Sequence, residues 1–282
     1  LEPFPFFSIY NIKEFLETQE AAVRKKWGQN FLIDPNIIEI ILQSIPMDSI
    51  SKSECILEIG PGLGALTHKL PQFQKETHLI EIDPILAQNL QRQDYIIDHK
   101  MNLIHGDVLD HMVSFSKKKL YLFGNLPYYI SSEILTMALK TCAHLTGGIF
   151  MLQKEFAMRI EKEVSSLSLF ARAFGTWKIV KIVKPNCFYP APSATSAVLL
   201  YHPHPVPKVS HSQINGLEKI LKSMFWGKRK TISHILKYTP FLNEVEKEKV
   251  LEYLKSQTNQ SLSSRPEDLA DELYYQLGSI LD

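Results

Sequence analysis

Three glycines at alternate positions, Gly60, Gly62 and Gly64, follow directly on the apolar run Cys55-Ile56-Leu57-Glu58-Ile59. A buried strand that empties into a glycine loop and then a helix belongs to doubly wound α/β sheets, where ligands sit at the carboxyl ends of the strands. The surrounding pattern agrees. Residues 35–45 carry a helical apolar stripe, with Asp34 as N-cap and Pro35 at the first helical position. After the loop, 65–70 begins a helix, 76–82 reads as a strand and 84–93 as a helix. Strands follow at 101–104, 120–123, 148–152, 177–183 and 196–201, with helices over 131–141 and 153–163. Alternation at this spacing predicts a mostly parallel sheet covered on both faces.

The pattern stops at His202-Pro203-His204-Pro205-Val206-Pro207, a stiff proline-rich stretch that predicts a domain boundary. We expect an α/β domain over 1–204 and a small all-helical domain over 205–282. In the latter, Leu217, Ile220, Leu221, Met224 and Phe225 fall on one helix face, and 243–256 and 266–277 are further helix candidates.

Composition narrows the function classes. Across 282 residues, 45% are hydrophobic and 22% charged, and net charge is +1, so a nucleic-acid partner would need a local basic surface. Cys55, Cys142 and Cys187 are scattered with no CxxC pair, which fits a reducing compartment and suggests neither a disulfide framework nor a metal site. The apolar start at Leu1 lacks a basic flank and is broken by Pro3 and Pro5, a poor secretion signal. No apolar run approaches the roughly 20 residues a membrane span needs. We therefore expect a cytoplasmic protein with no membrane partner. The absent initiator Met suggests trimming or an unusual start.

The glycine spacing selects among ligands. Dinucleotide sites use GxGxxG, whereas here the third glycine falls four positions after the first, and no Lys-Ser/Thr follows as in a phosphate loop. GxGxG after an acidic residue resembles the first motif of S-adenosylmethionine-dependent methyltransferases. Two further acids stand at successive strand ends. Glu81 can accept from both hydroxyls of a ribose, and Asp107 from an adenine amino group. Local structural roles compete: Asp83 as a helix cap before Pro84, Asp107 as a turn residue.

At the end of the next strand stands Asn125-Leu126-Pro127-Tyr128. This resembles the catalytic turn of methyltransferases that act on amines conjugated to a π system. The lone pair of such an amine is delocalised, so it is a poor nucleophile. The Asn125 amide oxygen and a carbonyl of the Leu126-Pro127 turn can each accept one of its hydrogens, and Tyr128 offers a ring for stacking, on the order of 1–3 kcal/mol. Catalysis would then be mainly positioning for in-line displacement. DNA adenine, RNA adenine and protein glutamine enzymes all use versions of this turn.

Other segments narrow the substrate. Lys26-Trp27-Gly28-Gln29-Asn30-Phe31-Leu32, Phe188-Tyr189-Pro190-Ala191-Pro192 through Ser196-Ala197-Val198, Phe225 through Thr231, and Arg265-Pro266-Glu267-Asp268-Leu269 resemble the ribosomal RNA adenine dimethyltransferases, over about 24 to 276. The resemblance implies a Rossmann-like class I S-adenosylmethionine-dependent methyltransferase sheet with a helical C-terminal domain. It implies N6-dimethylation of two adjacent adenosines in the hairpin near the 3′ end of 16S rRNA, within the immature small subunit, by a monomer. It assigns cofactor contacts to Asn30, Leu32, Gly60, Gly62, Glu81, Asp107 and Asn125. Catalysis falls to Asn125, Leu126, Pro127 and Tyr128, with Phe188 covering the base opposite Tyr128, and residues 1–34 close over cofactor and RNA. The chain departs from the pattern at Tyr129, often Asn; at Ser193-Ala194-Thr195, usually Lys-Val-Asp; and at a shortened loop between Glu163 and Ser165, expected to alter RNA docking.

For RNA contact we single out Arg24, Lys25 and Lys26, and the acid-free stretch from Lys219 with Lys222, Lys228, Arg229 and Lys230, although such charges also serve as ordinary solvated faces. Recognition would rest on shape and an extruded adenosine. A DNA or glutamine methyltransferase, and a non-catalytic assembly factor on the same fold, are the alternatives.

Overall fold

The computed structural model describes residues 4–18, 29–227, 229–257 and 262–281. The chain divides into two compact units, 1–158 with 177–202, and 159–176 with 203–282.

The first unit is built on a seven-stranded sheet. The chain runs through α1 (Ile9–Thr18), β1 (Phe31–Leu32), α2 (Pro35–Gln43), α3 (Met47–Lys52), β2 (Cys55–Ile59), β3 (Glu76–Glu81), α4 (Pro84–Gln91), α5 (Asp94–Asp98), β4 (Asn102–His105), α6 (Val108–His111), β5 (Leu120–Asn125), α7 (Ser131–Thr141), β6 (Leu145–Gln153) and α8 (Lys154–Lys162). It returns through β7 (Gly175–Val183), β8 (Phe188–Tyr189) and β9 (Ser196–Pro203). The strand order is β4-β3-β2-β5-β6-β9-β7, with a separate antiparallel pair β1-β8. Neighbours from β4 to β6 are parallel and β9 is antiparallel to β6, so the sheet is mostly parallel. Every residue of β2 is buried, as a strand covered on both faces must be. The order in which successive strands join the sheet reverses between the parallel neighbours β2 and β5, the switch point where such sheets open a crevice.

Local chemistry sets the elements. Asp34 caps α2, its Oδ1 accepting from Asn36 N–H at 2.9 Å, with Pro35 supplying a preset φ at the first position. The helix expected from residue 65 is instead tight 3-10 turns over Thr67–Phe73. Pro71 has no N–H to donate to Thr67, so an α-helical ladder cannot form there. The loop at Ser193-Ala194-Thr195 is tied down by Lys154 N–H donating to Thr195 O at 2.9 Å. Two apolar clusters result. The larger fills the space between sheet and helices, and includes Ile38, Ile56, Leu79, Tyr121, Phe123 and Val198. The smaller joins Phe6, Ile12 and Leu16 to Phe31, Leu63 and Leu86.

The second unit contains α9 (Ser166–Phe174), α10 (Ile214–Trp226), α11 (Ile232–Tyr238), α12 (Glu244–Ser256) and α13 (Asp271–Ser279). The predicted stripe of α10 is buried at Leu217, Ile220, Leu221 and Met224. Where the sequence suggested one boundary at 204, this unit also takes in 159–176. Three bonds explain it. Arg172 grips Asp271 with Nε and Nη2 at 2.8 and 3.2 Å, and Tyr275 Oη donates to Leu169 O at 3.3 Å. The proline-rich stretch is no free spacer, because His204 and Lys208 N–H donate to Phe174 and Ala173 carbonyls at 2.9 and 2.8 Å. The shortened loop leads into a capping box, with Ser165 and Ser168 each accepting from the other's N–H. The helix expected from 266 starts at Asp271, because Pro266–Asp268 forms a 3-10 turn closed by the Asp268 carboxylate on Arg265 N–H.

Gly64 has φ +90°, and a Cβ there would meet the Tyr95 hydroxyl and lie 3.2 Å from Leu90. Gly64→Ala is expected to lower unfolding free energy by about 1–3 kcal/mol in urea titrations; an unchanged midpoint would contradict the packing.

Candidate active site

β2 and β5 pair with Ile59 opposite Gly124, so the residues that leave the sheet next, Gly60 and Asn125, emerge side by side at the switch point. Gly60, Gly62 and Gly64 all have positive φ, which β-carbon sterics discourage. The loop is held by Glu81 from the end of β3. Its Oε2 accepts from Gly62 N–H at 2.9 Å and its Oε1 from Asp83 N–H at 3.0 Å. A carboxylate has about four acceptor positions, so two bonds leave capacity toward a ligand. Glu81 is 4% exposed, and burial pushes its pKa up to about 7 against the two N–H bonds.

Asp83 caps α4 through Oδ1, while its Oδ2 accepts from Gln29 Nε2 at 2.8 Å. The cap reading of Asp83 holds, and the carboxylate also anchors the segment before β1. One residue on, the Asn30 carbonyl accepts from Asn125 Nδ2 at 3.0 Å. That bond fixes the Asn125 amide and turns its Oδ1 to the opposite side. In the turn beyond, Leu126 N–H donates to Met151 O at 3.0 Å, and Pro127 O accepts from Ile130 N–H and from the Ser131 hydroxyl at 3.2 and 2.7 Å. Tyr128 Oη and Ser196 Oγ share a hydrogen bond of 2.6 Å.

These groups surround one open cleft enclosing about 840 Å³, mouth included. Of the sequence-predicted residues, Asn30, Leu32, Gly60, Gly62, Glu81, Asn125, Leu126, Pro127 and Tyr128 line it. Asp107 lines an adjoining hollow that shares Gly60, Ile82 and Pro127 with the cleft. Its Oδ1 caps α6 by accepting from Leu109 N–H at 2.9 Å.

Phe188 stands apart from these residues. It lies 3% exposed in the main apolar cluster, paired across β1-β8 with Leu32, and is not among the cleft-lining residues. The pairing packs its ring with the core residues of that cluster. Sequence reasoning also missed Gln29 and Glu58 as cleft residues. Gln29 sat within a quoted motif. Glu58 was visible only as an acid inside a buried strand. It is 2% exposed, accepts from Thr67 Oγ1 at 2.7 Å, and burial pushes its pKa up to about 8.

In the second unit Lys222, Arg229 and Lys230 are exposed, while Lys219 pairs with Glu246 at 2.6 Å. Arg24, Lys25, Lys26 and Lys228 lie outside the described residues.

S-adenosylmethionine fits these residues. A Cβ built on Gly60 meets nothing within 4 Å, so that glycine faces open space in the cleft. Among the described residues, two buried carboxyl groups and no lysine or arginine line the cleft, which suits a cationic ligand. Sheet, glycine loop and acids at successive strand ends define a class I S-adenosylmethionine-dependent methyltransferase. The chain belongs to the ribosomal RNA adenine dimethylase family, which matches residues 20–264. It is thus an S-adenosylmethionine-dependent ribosomal RNA adenine methyltransferase.

Among relatives, the ribosomal RNA small subunit methyltransferase A of Streptococcus pneumoniae is 34% identical over 95% of both chains. That of Clostridium botulinum is 33% identical over 80% of this chain and 84% of its own. A dimethyladenosine transferase from Plasmodium falciparum shares the fold, with TM-score 0.73 and 24% identity over 88% of this chain and 95% of that one. So does the 23S rRNA methyltransferase ErmE, with TM-score 0.65 and 22% identity over 90% and 100%.

Because the folded pKa of Glu58 is raised from 4.5 to about 8, the native state holds this proton more tightly than the unfolded chain. Stability contributed by the protonated form is complete below pH 4.5 and declines as pH rises toward 8. Glu58→Gln, which mimics the protonated acid, is expected to match the wild-type melting temperature near pH 5 and exceed it near pH 9. Parallel melting curves across that range would refute the burial argument.

Proposed function

We propose that this chain dimethylates N6 of two adjacent adenosines in the hairpin near the 3′ end of 16S rRNA, in the maturing small subunit, as a cytoplasmic monomer. The observation that carries the reading is the anchored amide of Asn125. With Nδ2 donating to Asn30 O, its Oδ1 is the face offered to a substrate amine. The partner acceptor is the Leu126 carbonyl, since the Pro127 carbonyl is already engaged by Ile130 and Ser131. Two acceptors on one turn match the two hydrogens of an adenine amine. Holding both draws the nitrogen lone pair out of conjugation and aims it along the line of displacement.

The cofactor supplies an electrophilic methyl on a sulfonium. As the N–C bond forms the C–S bond breaks, and the ammonium product is acidic enough to release its proton to water without a strong base. After one transfer N6 keeps a single hydrogen, so only one of the two acceptors is engaged in the second. Stacking on Tyr128 then carries more of the positioning, and the hydrogen bond shared by Tyr128 Oη and Ser196 Oγ holds that ring in place.

Duplex RNA would be held by shape and phosphate contacts, with the target adenosine extruded. Lys222, Arg229 and Lys230 are the exposed cations we assign to the backbone, and Lys228 with Arg24, Lys25 and Lys26 is assigned from sequence alone. Lys219 is assigned to Glu246 instead.

Tritium transfer from labelled S-adenosylmethionine should reach undermethylated small subunits but not DNA or protein, with mass mapping placing two methyl groups on each of two neighbouring adenosines. Asn125→Ala is expected to keep RNA binding and lose methyl transfer by at least about 10²-fold. Wild-type turnover in that variant, or label on the control substrates, would defeat the assignment.

A further inference from the structure

The hollow beside the cleft encloses about 390 Å³, mouth included. Its walls come from strand ends that flank β2: Ile82 follows β3 on one side, and Pro127, Tyr129 and Ile130 follow β5 on the other. Two inter-strand spacings separate those walls, roughly 10 Å. Once side-chain contact radii are subtracted, that gap admits one planar ring. Among the described residues the lining is mainly apolar, and Asp107 is its single carboxylate. A carboxylate accepts from an amino group and repels a carbonyl, so the ring it suits is a 6-aminopurine rather than a 6-oxopurine.

Tyr129 is the aromatic member of this wall, and it is 57% exposed. No core packing accounts for so large an apolar side chain at the surface. The adjacent Tyr128 lines the cleft and is bonded to Ser196, so neighbouring rings from one turn serve two different cavities. The Tyr129 phenol also lies close enough to Asp107 for that carboxylate to push its pKa up, after burial.

We propose that Tyr129 is a cofactor-binding residue whose ring closes on the purine of S-adenosylmethionine, facing Ile82 across the hollow. The proposal rests on the cofactor reading of Gly60, Glu81 and Asp107. Tyr128 serves the substrate adenine and Tyr129 the cofactor adenine, so the turn that orients the amine also sets the grip on the methyl donor. Because each target adenosine consumes two cofactor molecules, the spent cofactor must leave between transfers. A surface ring at its purine end governs how fast it does so.

The test measures dissociation constants for S-adenosylmethionine and S-adenosylhomocysteine by titration calorimetry, and for the 16S hairpin by gel shift without cofactor. The full chain is compared with Tyr129→Phe, Tyr129→Leu and Tyr129→Ala. Loss of the ring in the Leu and Ala variants is expected to weaken both cofactor forms about tenfold. The Phe variant keeps the ring and stays within about twofold of wild type, on the same stacking scale. Hairpin affinity is unchanged in all three. Should the Ala variant fail to fold, the Leu variant gives the same reading. Native cofactor affinity in the ring-less variants overturns the proposal, as does a fall in hairpin affinity with cofactor binding intact, which would give Tyr129 to RNA. A wild type that binds neither cofactor form overturns the cofactor reading itself, a result separable from failure of the Tyr129 assignment alone.

Discussion

The parallel register of β2 with β5 is the constraint from which the site follows. Ile59 lies opposite Gly124, so the glycine loop and Asn125 leave the sheet at the same height. A slip of one residue would turn each side chain to the other face of the sheet. Asn125 would then lose Asn30, and its amide would no longer line the cleft. The register is held from both ends, because β2 is buried along its length and β5 also pairs with β6 through Asn125 and Met151. The placement of Asn125 beside the glycine loop is thus set by core packing one residue away.

The same site works against the stability of the fold. Glu58 and Glu81 are both nearly sequestered from solvent, and the Glu81 charge adds to the cost of ionising Glu58. In a stable core these positions would be apolar. Here two acids raised to about 8 and about 7 stand where a cationic ligand binds. The positive charge of such a ligand offsets the cost of their desolvation, and that compensation appears as ligand-linked stabilisation of the native state.

Much of this was legible in the sequence because its signals are local. A buried strand followed by alternate glycines, Asp34 before Pro35, and Asp83 before Pro84 each specify their structure within a few residues. The position of Asn125 on the cleft was legible because it closes a strand that neighbours the glycine loop. What sequence reasoning missed depends on distant partners or on short elements. α9 has nine residues and owes its allegiance to Asp271 and Tyr275, about a hundred positions away. The burial of Phe188 is set by the two-residue strand Phe31–Leu32, too short to leave a periodic pattern. The 3-10 turns after Gly64 follow from Pro71, which a helical reading of 65–70 stopped short of.

The run Gln29-Asn30-Phe31-Leu32 shows why a motif can be specific while each of its residues looks ordinary. Gln29 binds the carboxylate that caps α4, which needs an amide donor long enough to reach Asp83 Oδ2. Asn30 contributes its backbone carbonyl to the Asn125 amide, so the peptide there must be held in one orientation. Phe31 lays its ring against Gly62, within 3.5 Å of where a Cβ would stand, and joins the small cluster with Ile12 and Leu16. Leu32 pairs with Phe188 and enters the main core. Four consecutive residues therefore tie the cap of α4, the Asn125 amide, the glycine loop and the core to one another. An extended segment alternates its side chains between faces, and its backbone groups stay available between them. That is how so short a stretch serves all four, and why replacing any one of them would disturb the orientation of Asn125 through a different route.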